Sequence, residues 1–256
     1  MILALDVGNS NVTVGVFEDG RLIDHRRLRT VREQTADEWG ILIRNLFLLA
    51  GLDTARIEGI IIASVVPPLN SSLAQMAQSY FHTEAMFVTP ATDTGLTIRY
   101  DHPHEVGADR LVNGVAAFQK YGGPCVVVDL GTAITFDAIS ANAEYLGGVI
   151  AAGIGISMEA LFSKTAKLPY VDFREPVQVI GTNTVSSMQS GLYYGALGAI
   201  DGILARLIET LGPATRTVAT GGQAALIARG SHYIKVIDEH LTLEGLRIIW
   251  DRNHSR

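Results

Sequence analysis

The sequence predicts two related α/β domains joined in one chain. Three observations predict this. The chain has 256 residues, which fits one large domain or two of about 120 residues each. Both halves open with short apolar runs spaced as strands. Each opening carries an acidic, glycine-bearing turn, Asp6–Asn11 in the first half and Asp129–Thr135 in the second, and the two start 123 residues apart, close to half the chain.

The elements follow in order. Ile2 to Val7 is a short apolar run, and Val12 to Phe17 alternates apolar and small residues as a half-buried strand does. Glu18–Asp19–Gly20 is a turn signal, and Arg21 to Leu28 reads as a third strand. Thr35 to Ala50 carries Trp39, Leu42, Ile43, Leu46 and Leu49 at helical spacing and ends at Gly51. Gly59 to Val66 reads as a buried strand stopped by Pro67–Pro68, and Leu69 to Tyr80 as a helix. In the second half Cys125 to Leu130, Ile134 to Ile139 and Glu144 to Ala151 repeat the three-strand opening. Val185 to Leu211 is the longest helical pattern, closed by Gly212–Pro213. Gly191, Gly195, Gly198 and Gly202 lie on one face of it. Each glycine costs a helix about 1 kcal/mol relative to alanine, so another backbone is expected close by, from a neighbouring helix or a partner subunit.

Composition excludes several classes. The chain is 48% hydrophobic and 18% charged, enough to bury a core. Its net charge of −6 lacks the basic footprint of a nucleic-acid binder. The densest basic run, His25 to Arg29, reads as a solvated strand face. Cys125 is the single cysteine, so an internal disulfide is impossible, and its place before Val126–Val128 marks a buried, inert thiol. The opening Met1 to Asp6 has no basic n-region, and no apolar run approaches the 18 or so residues of a membrane span. A cytoplasmic protein without a membrane partner is expected.

The turns are the chemical signal. Glycine and small hydroxylated residues between strands offer N–H groups and hydroxyls to phosphate oxygens. Gly8 admits a phosphate, and Asn9, Ser10, Asn11 and Thr13 offer donors. Asp6 would repel phosphate directly but suits Mg²⁺ bridging phosphates. Asp129, with Gly131 and Thr132, can play a matching part, and two such hairpins facing each other would clamp a triphosphate. A P-loop is excluded because none of the lysines, 120, 164, 167 and 235, follows glycine. No dinucleotide-binding glycine motif follows a strand either.

Gly107–Ala108–Asp109–Arg110 leads into a helix over Leu111 to Tyr121. Asp109 could take a proton from an attacking hydroxyl, and Arg110 could grip a carboxylate bidentately. Equally, the two could pair or cap the helix. His102 and His104 beside Asp101 do not make a zinc set, because Pro103 breaks their alignment and no further cluster completes it.

Asp6 to Asn11, Gly107 to Arg110, Asp129 to Asp137 and Gly147 to Gly153 together resemble type III pantothenate kinases, members of the actin, Hsp70 and sugar-kinase superfamily, over essentially the whole chain. The resemblance implies two actin- or ribonuclease-H-like domains, 1–118 and 119–256, each a mixed sheet flanked by helices. It implies ATP-dependent phosphorylation of pantothenate, the first step of coenzyme A synthesis. By position, Asp6, Val7, Gly8, Asn9, Ser10, Asn11, Val12, Thr13 and Thr132 are then ATP contacts, with Asp6 near Mg²⁺. Asp109 is the general base, and Tyr100, Gly107, Ala108, Asp109, Arg110 and Thr184 are pantothenate contacts. Asp129 is similar to a monovalent-cation ligand for K⁺ or NH₄⁺. The family is dimeric, which favours the partner-subunit reading of the glycine face. Ala152 departs from the family's proline.

Overall fold

The computed structural model describes residues 1–254. The chain forms two compact units, one of residues 1–116 together with the stretch from Leu241 onward, and one of residues 117–240. The sequence division at 118 differs in one respect: the C-terminal helix returns to the first unit.

In the first unit β1 (Ile2–Val7), β2 (Asn11–Glu18) and β3 (Arg21–Arg29) form an antiparallel meander. After α1 (Ala36–Leu49), β4 (Gly59–Ser64) runs parallel to β1. After α2 (Asn70–Phe81), β5 (Ala85–Phe87) runs parallel to β4, giving the order β3-β2-β1-β4-β5. A two-residue strand, β6 (Thr97–Ile98), and α3 (Ala108–Tyr121) follow. Thr35 caps α1 reciprocally with Glu38, satisfying the first free N–H groups. Pro67–Leu69 forms a single 3₁₀ turn, so α2 starts at Asn70.

Alternation along the meander sends side chains to two cores. Val12, Val14 and Val16 face Trp39, Ile43 and Phe47 of α1 on one side. Ala4 and Phe17 face Ala108 and Val112 of α3 on the other, with Leu243, Leu246 and Ile249 of α7 (Leu241–His254). Those three leucine and isoleucine side chains are why α7 belongs to the first unit.

The second unit opens with its own meander, β7 (Cys125–Leu130), β8 (Ala133–Ile139) and β9 (Glu144–Ala152). After α4 (Ile154–Ser163) and α5 (Thr184–Leu211), β10 (Arg216–Thr220) runs parallel to β7. After α6 (Ala224–Ala228), β11 (Val236–Ile237) runs parallel to β10. Val126, Val128, Ile134 and Phe136 pack on Tyr193, Ile200 and Leu204 of α5. Cys125, the first residue of β7, is fully buried, and burial pushes its thiol up to about 12, so it is inert.

α5 departs from one expectation and bears on another. It is long and apolar enough to cross a membrane by length and composition, contrary to the sequence reading, although Asn183 caps its start and Asp201 midway bonds Ser231 and His232. Among the described residues no other helix closes on three of its glycines: a Cβ at Gly191, Gly195 or Gly198 would meet nothing within 4 Å.

Candidate active site

The first turn is built by the meander. Gly8 N–H donates to Asn11 O at 3.0 Å, closing the chain between β1 and β2. The end of β3 holds this turn from the side: Thr30 Oγ1 donates to Gly8 O at 2.6 Å, and Thr30 N–H to Ser10 O at 3.1 Å. Asn9, Ser10 and Asn11 are exposed, and Asp6 lies directly opposite Thr13 in the register. Val7 and Val12 are fully buried in the core, so any ligand contact at these two is through main-chain atoms.

The acceptor segment sits against the same turn. Val65 N–H donates to Val7 O at 3.0 Å. Gly107 packs on Val65, where a Cβ would lie 3.5 Å from Val65 Cγ1 and 2.6 Å from Asp109 Oδ1. Any larger residue at 107 would displace the Asp109 carboxylate. Ala108 shares a core with Ala4, two residues before Asp6 on the same face. The sheet thus brings the Gly8–Asn11 turn and Asp109 into one neighbourhood.

α3 begins at Ala108, which places Asp109 in its first turn, where Asp109 Oδ1 accepts Arg110 N–H at 2.7 Å. Burial raises the Asp109 pKa above the ordinary carboxylate value. The Arg110 N–H and the Arg110 charge oppose this without cancelling it. A carboxyl shifted towards neutrality is suited to exchanging protons. Arg110 is buried and Tyr100 half-buried. Ala108 is buried as well, so it too offers only main-chain atoms.

In the second unit Asp129 is half-buried near the end of β7, opposite Thr135 of β8 and Thr220 of β10. Gly131 N–H donates to Ala133 O at 3.1 Å, and Thr132 is exposed at the tip. Two glycines that the sequence reading did not place at the site press on this turn. A Cβ on Gly153 would lie 2.0 Å from Thr132 O. Gly221 has φ +93°, and a Cβ there would lie 2.7 Å from Asp129 Oδ1. Gly221 follows a strand of the type Val218–Thr220, the one signal that could have found it. Ala152 ends β9 immediately before this contact.

Thr184 opens α5 and is exposed. It lines a shallow cavity of about 520 Å³ with Leu161, Leu168, Met188 and Leu192. Behind Asp129, fully buried Asp137 accepts the Tyr145 hydroxyl at 2.6 Å and the Thr135 hydroxyl at 3.2 Å.

The donor sets test the expected cations. Among the described residues no group of three or more His, Cys, Asp or Glu could hold a metal. Asp6 supplies a carboxylate at the end of β1, which fits Mg²⁺ carried largely by phosphates and water. Asp129 with the Thr135 and Thr220 hydroxyls in neighbouring register is an all-oxygen set, which fits a hard, weakly charged cation.

A family model described as type III pantothenate kinase matches residues 2–206. The chain belongs to that family. Type III pantothenate kinases of Solibacter usitatus and Koribacter versatilis are 70% and 57% identical to it. They align over 99% and 100% of this chain and 97% of each relative. Among solved structures, a putative 2-dehydro-3-deoxygalactonokinase from Sinorhizobium meliloti shares the fold at TM-score 0.63 and 15% identity, covering 100% of both chains. A putative Baf family transcriptional activator from Campylobacter jejuni shares it at TM-score 0.61 and 20% identity, covering 99% of this chain and 100% of that one. These likenesses show that the chain shares the two-unit α/β fold of those structures.

Proposed function

We propose that this chain transfers the γ-phosphoryl group of ATP to the primary hydroxyl of pantothenate, giving 4′-phosphopantothenate and ADP, with Asp109 as general base. Phosphorylation of pantothenate, the first step of coenzyme A synthesis, is the activity of the family. One observation supports the choice of Asp109: its carboxyl is desolvated, seated on Gly107 and placed beside the Gly8–Asn11 turn through Val65.

In this reading Asp6 to Thr13 and Thr132 are the ATP contacts. Ionised Asp109 accepts the proton as the pantothenate hydroxyl oxygen attacks the γ-phosphorus and the bond to ADP breaks in line. Arg110 holds the pantothenate carboxylate, and Tyr100, Gly107, Ala108 and Thr184 line the acceptor. Asp6 would hold Mg²⁺ and Asp129 K⁺ or NH₄⁺, and the bound cations would offset phosphate charge.

A homodimer is part of the same proposal. α5 carries an exposed stripe of Gly191, Gly195, Gly198 and Ala199. Around it Ile156, Phe162, Val179, Ile180 and Val185 are exposed too. Apolar surface this extensive, with open space over the glycines, suits a second copy of the chain. A cytoplasmic location matches the single, inert cysteine.

Asp109→Asn tests the assignment. ADP release dependent on pantothenate, with glucose and glycerol as control acceptors, should fall by about 10²–10⁴-fold, while ATP binding survives. A near-normal rate would remove Asp109 from its role.

A further inference from the structure

The first sheet aligns a basic strand with the phosphate turn. Asp6, Thr13 and Arg27 form one row of cross-strand partners across β1, β2 and β3, and Asn11 and Arg29 form the next row on the same face. Directly opposed residues of antiparallel strands project to the same face. Arg27 therefore shares its face with Asp6 and Thr13. α7 covers that face as far as Gly15, where a Cβ would lie 2.8 Å from Leu243 Cδ1. Beyond Gly15 the cover ends: Asn11, Arg27 and Arg29 are exposed, and Asp6 and Thr13 are half-buried.

The basic run His25–Arg29, expected as one solvated face, splits by side. Arg26 points the other way and pairs with Asp24 at 2.9 Å. Arg27 and Arg29 have no carboxylate partner among the described residues. Strands lie about 4.8 Å apart, so the Arg27 Cα is about 10 Å from that of Asp6, a gap its long side chain can largely span. The two Thr30 hydrogen bonds to Gly8 and Ser10 fix the end of β3 to the turn, so Arg27 is held in register with it. Asp6 and Asp109 add negative charge beside a polyanionic ligand, and a guanidinium fork on that face offers paired N–H donors to its oxygens.

We propose that Arg27 is a further nucleotide-binding residue, its guanidinium donating to phosphate oxygens of the triphosphate held at the Gly8–Asn11 turn. This rests on the reading of that turn as the ATP phosphate site.

Arg27→Gln, Arg27→Lys, Arg26→Gln and Asp6→Asn enzymes separate the possibilities. ATP affinity is measured by calorimetry without acceptor, and KM for ATP and for pantothenate by varying each alone, after thermal melts show that the fold is intact. Arg27→Gln should weaken ATP binding and raise its KM about tenfold or more, with the KM for pantothenate unchanged. Arg27→Lys should recover part of the loss, and Arg26→Gln should match wild type. Unchanged ATP affinity in Arg27→Gln, a loss confined to pantothenate, or an equal loss in Arg26→Gln would each overturn the proposal. If Asp6→Asn weakens Mg²⁺–ATP binding while Arg27→Gln does not, Arg27 alone falls. If neither changes it, the reading of the turn falls as well.

Discussion

The two acidic turns begin from one plan and are finished by different neighbours. In the first, Val7 pairs with Val12, leaving Gly8 to Asn11 as a loop whose tip is exposed. In the second, Leu130 pairs with Ile134, so the loop of residues 131–133 is one residue shorter. A side chain, Thr30, props the first turn, whereas glycine backbone from two distant segments, Gly153 and Gly221, presses on the second. Their acids differ accordingly. Asp6 shares its row with Thr13 and an arginine, and Asp129 sits between two threonines. Under the proposed function the two turns take separate duties from what packs on them, the open, donor-lined one for the phosphates and the compact one for a cation.

The largest expected effect tests that packing. A methyl at 153 would have to displace the Thr132 carbonyl, which is backbone and cannot rotate away. Gly153→Ala should therefore destabilise the protein by about 3 kcal/mol in denaturant melts and abolish activity. Gly8→Ala, whose Cβ would lie 3.1 Å from Asn11 O, should cost less than Gly153→Ala. Equal losses at both positions would break the comparison. Next in size are the acids. Asp6→Asn should raise the Mg²⁺ concentration needed for half-maximal rate and leave the response to K⁺ or NH₄⁺ in place. Asp129→Asn should do the reverse. Each should cost about tenfold or more in kcat/KM, read from cation titrations of the rate, and a shared phenotype would mean that the duties are not separate.

Much of the fold was legible because the strands of both meanders are apolar and bounded by turn residues. The strands at Ile2, Val12, Arg21, Cys125 and Glu144 and the helices α1, α2 and α5 lie close to their expected places. Tertiary contacts account for what was not. α7 has a weak periodic pattern and gains its place only from Leu243, Leu246 and Ile249 against the first sheet. Gly221 reads as an ordinary glycine until the backbone it touches is known, and Gly153, though part of the Gly147–Gly153 motif, gives no sign in sequence that it presses on Thr132. The run at His25 looked uniform because a sequence does not show which register sends Arg27 towards Asp6 and Arg26 towards Asp24.

Asp109, beside the first turn, carries a cost in stability. Its folded pKa is raised chiefly by burial, so the folded protein holds the proton more tightly than the unfolded chain. Stability from this group is then present below the unfolded carboxylate pKa of about 4 and is lost as pH rises through the folded value. Asp109→Asn should relieve the burden. Its stability advantage over wild type in denaturant melts should be absent in acid and grow towards neutral pH. The wild-type rate should also fall on the acid side at a pH above that of an ordinary carboxylate, because protonated Asp109 cannot take the acceptor's proton. An advantage independent of pH would contradict the buried-charge account.

The smallest effect isolates the prop itself. Thr30→Val keeps the shape of the side chain and removes the hydroxyl that donates to Gly8 O at 2.6 Å. The Thr30 N–H to Ser10 remains, so β3 stays attached to the turn and the global cost should be about 1 kcal/mol. The effect on function should fall on one substrate only. A looser turn places its N–H groups less well for phosphate, so the KM for ATP should rise a few-fold while kcat and the KM for pantothenate hold. Thr30→Ser, which restores the donor, should recover the KM without the methyl. If Thr30→Val instead lowered kcat with the KM for ATP unchanged, the hydroxyl would be acting in the transition state, and the first turn would not be the passive phosphate cradle that the comparison makes of it.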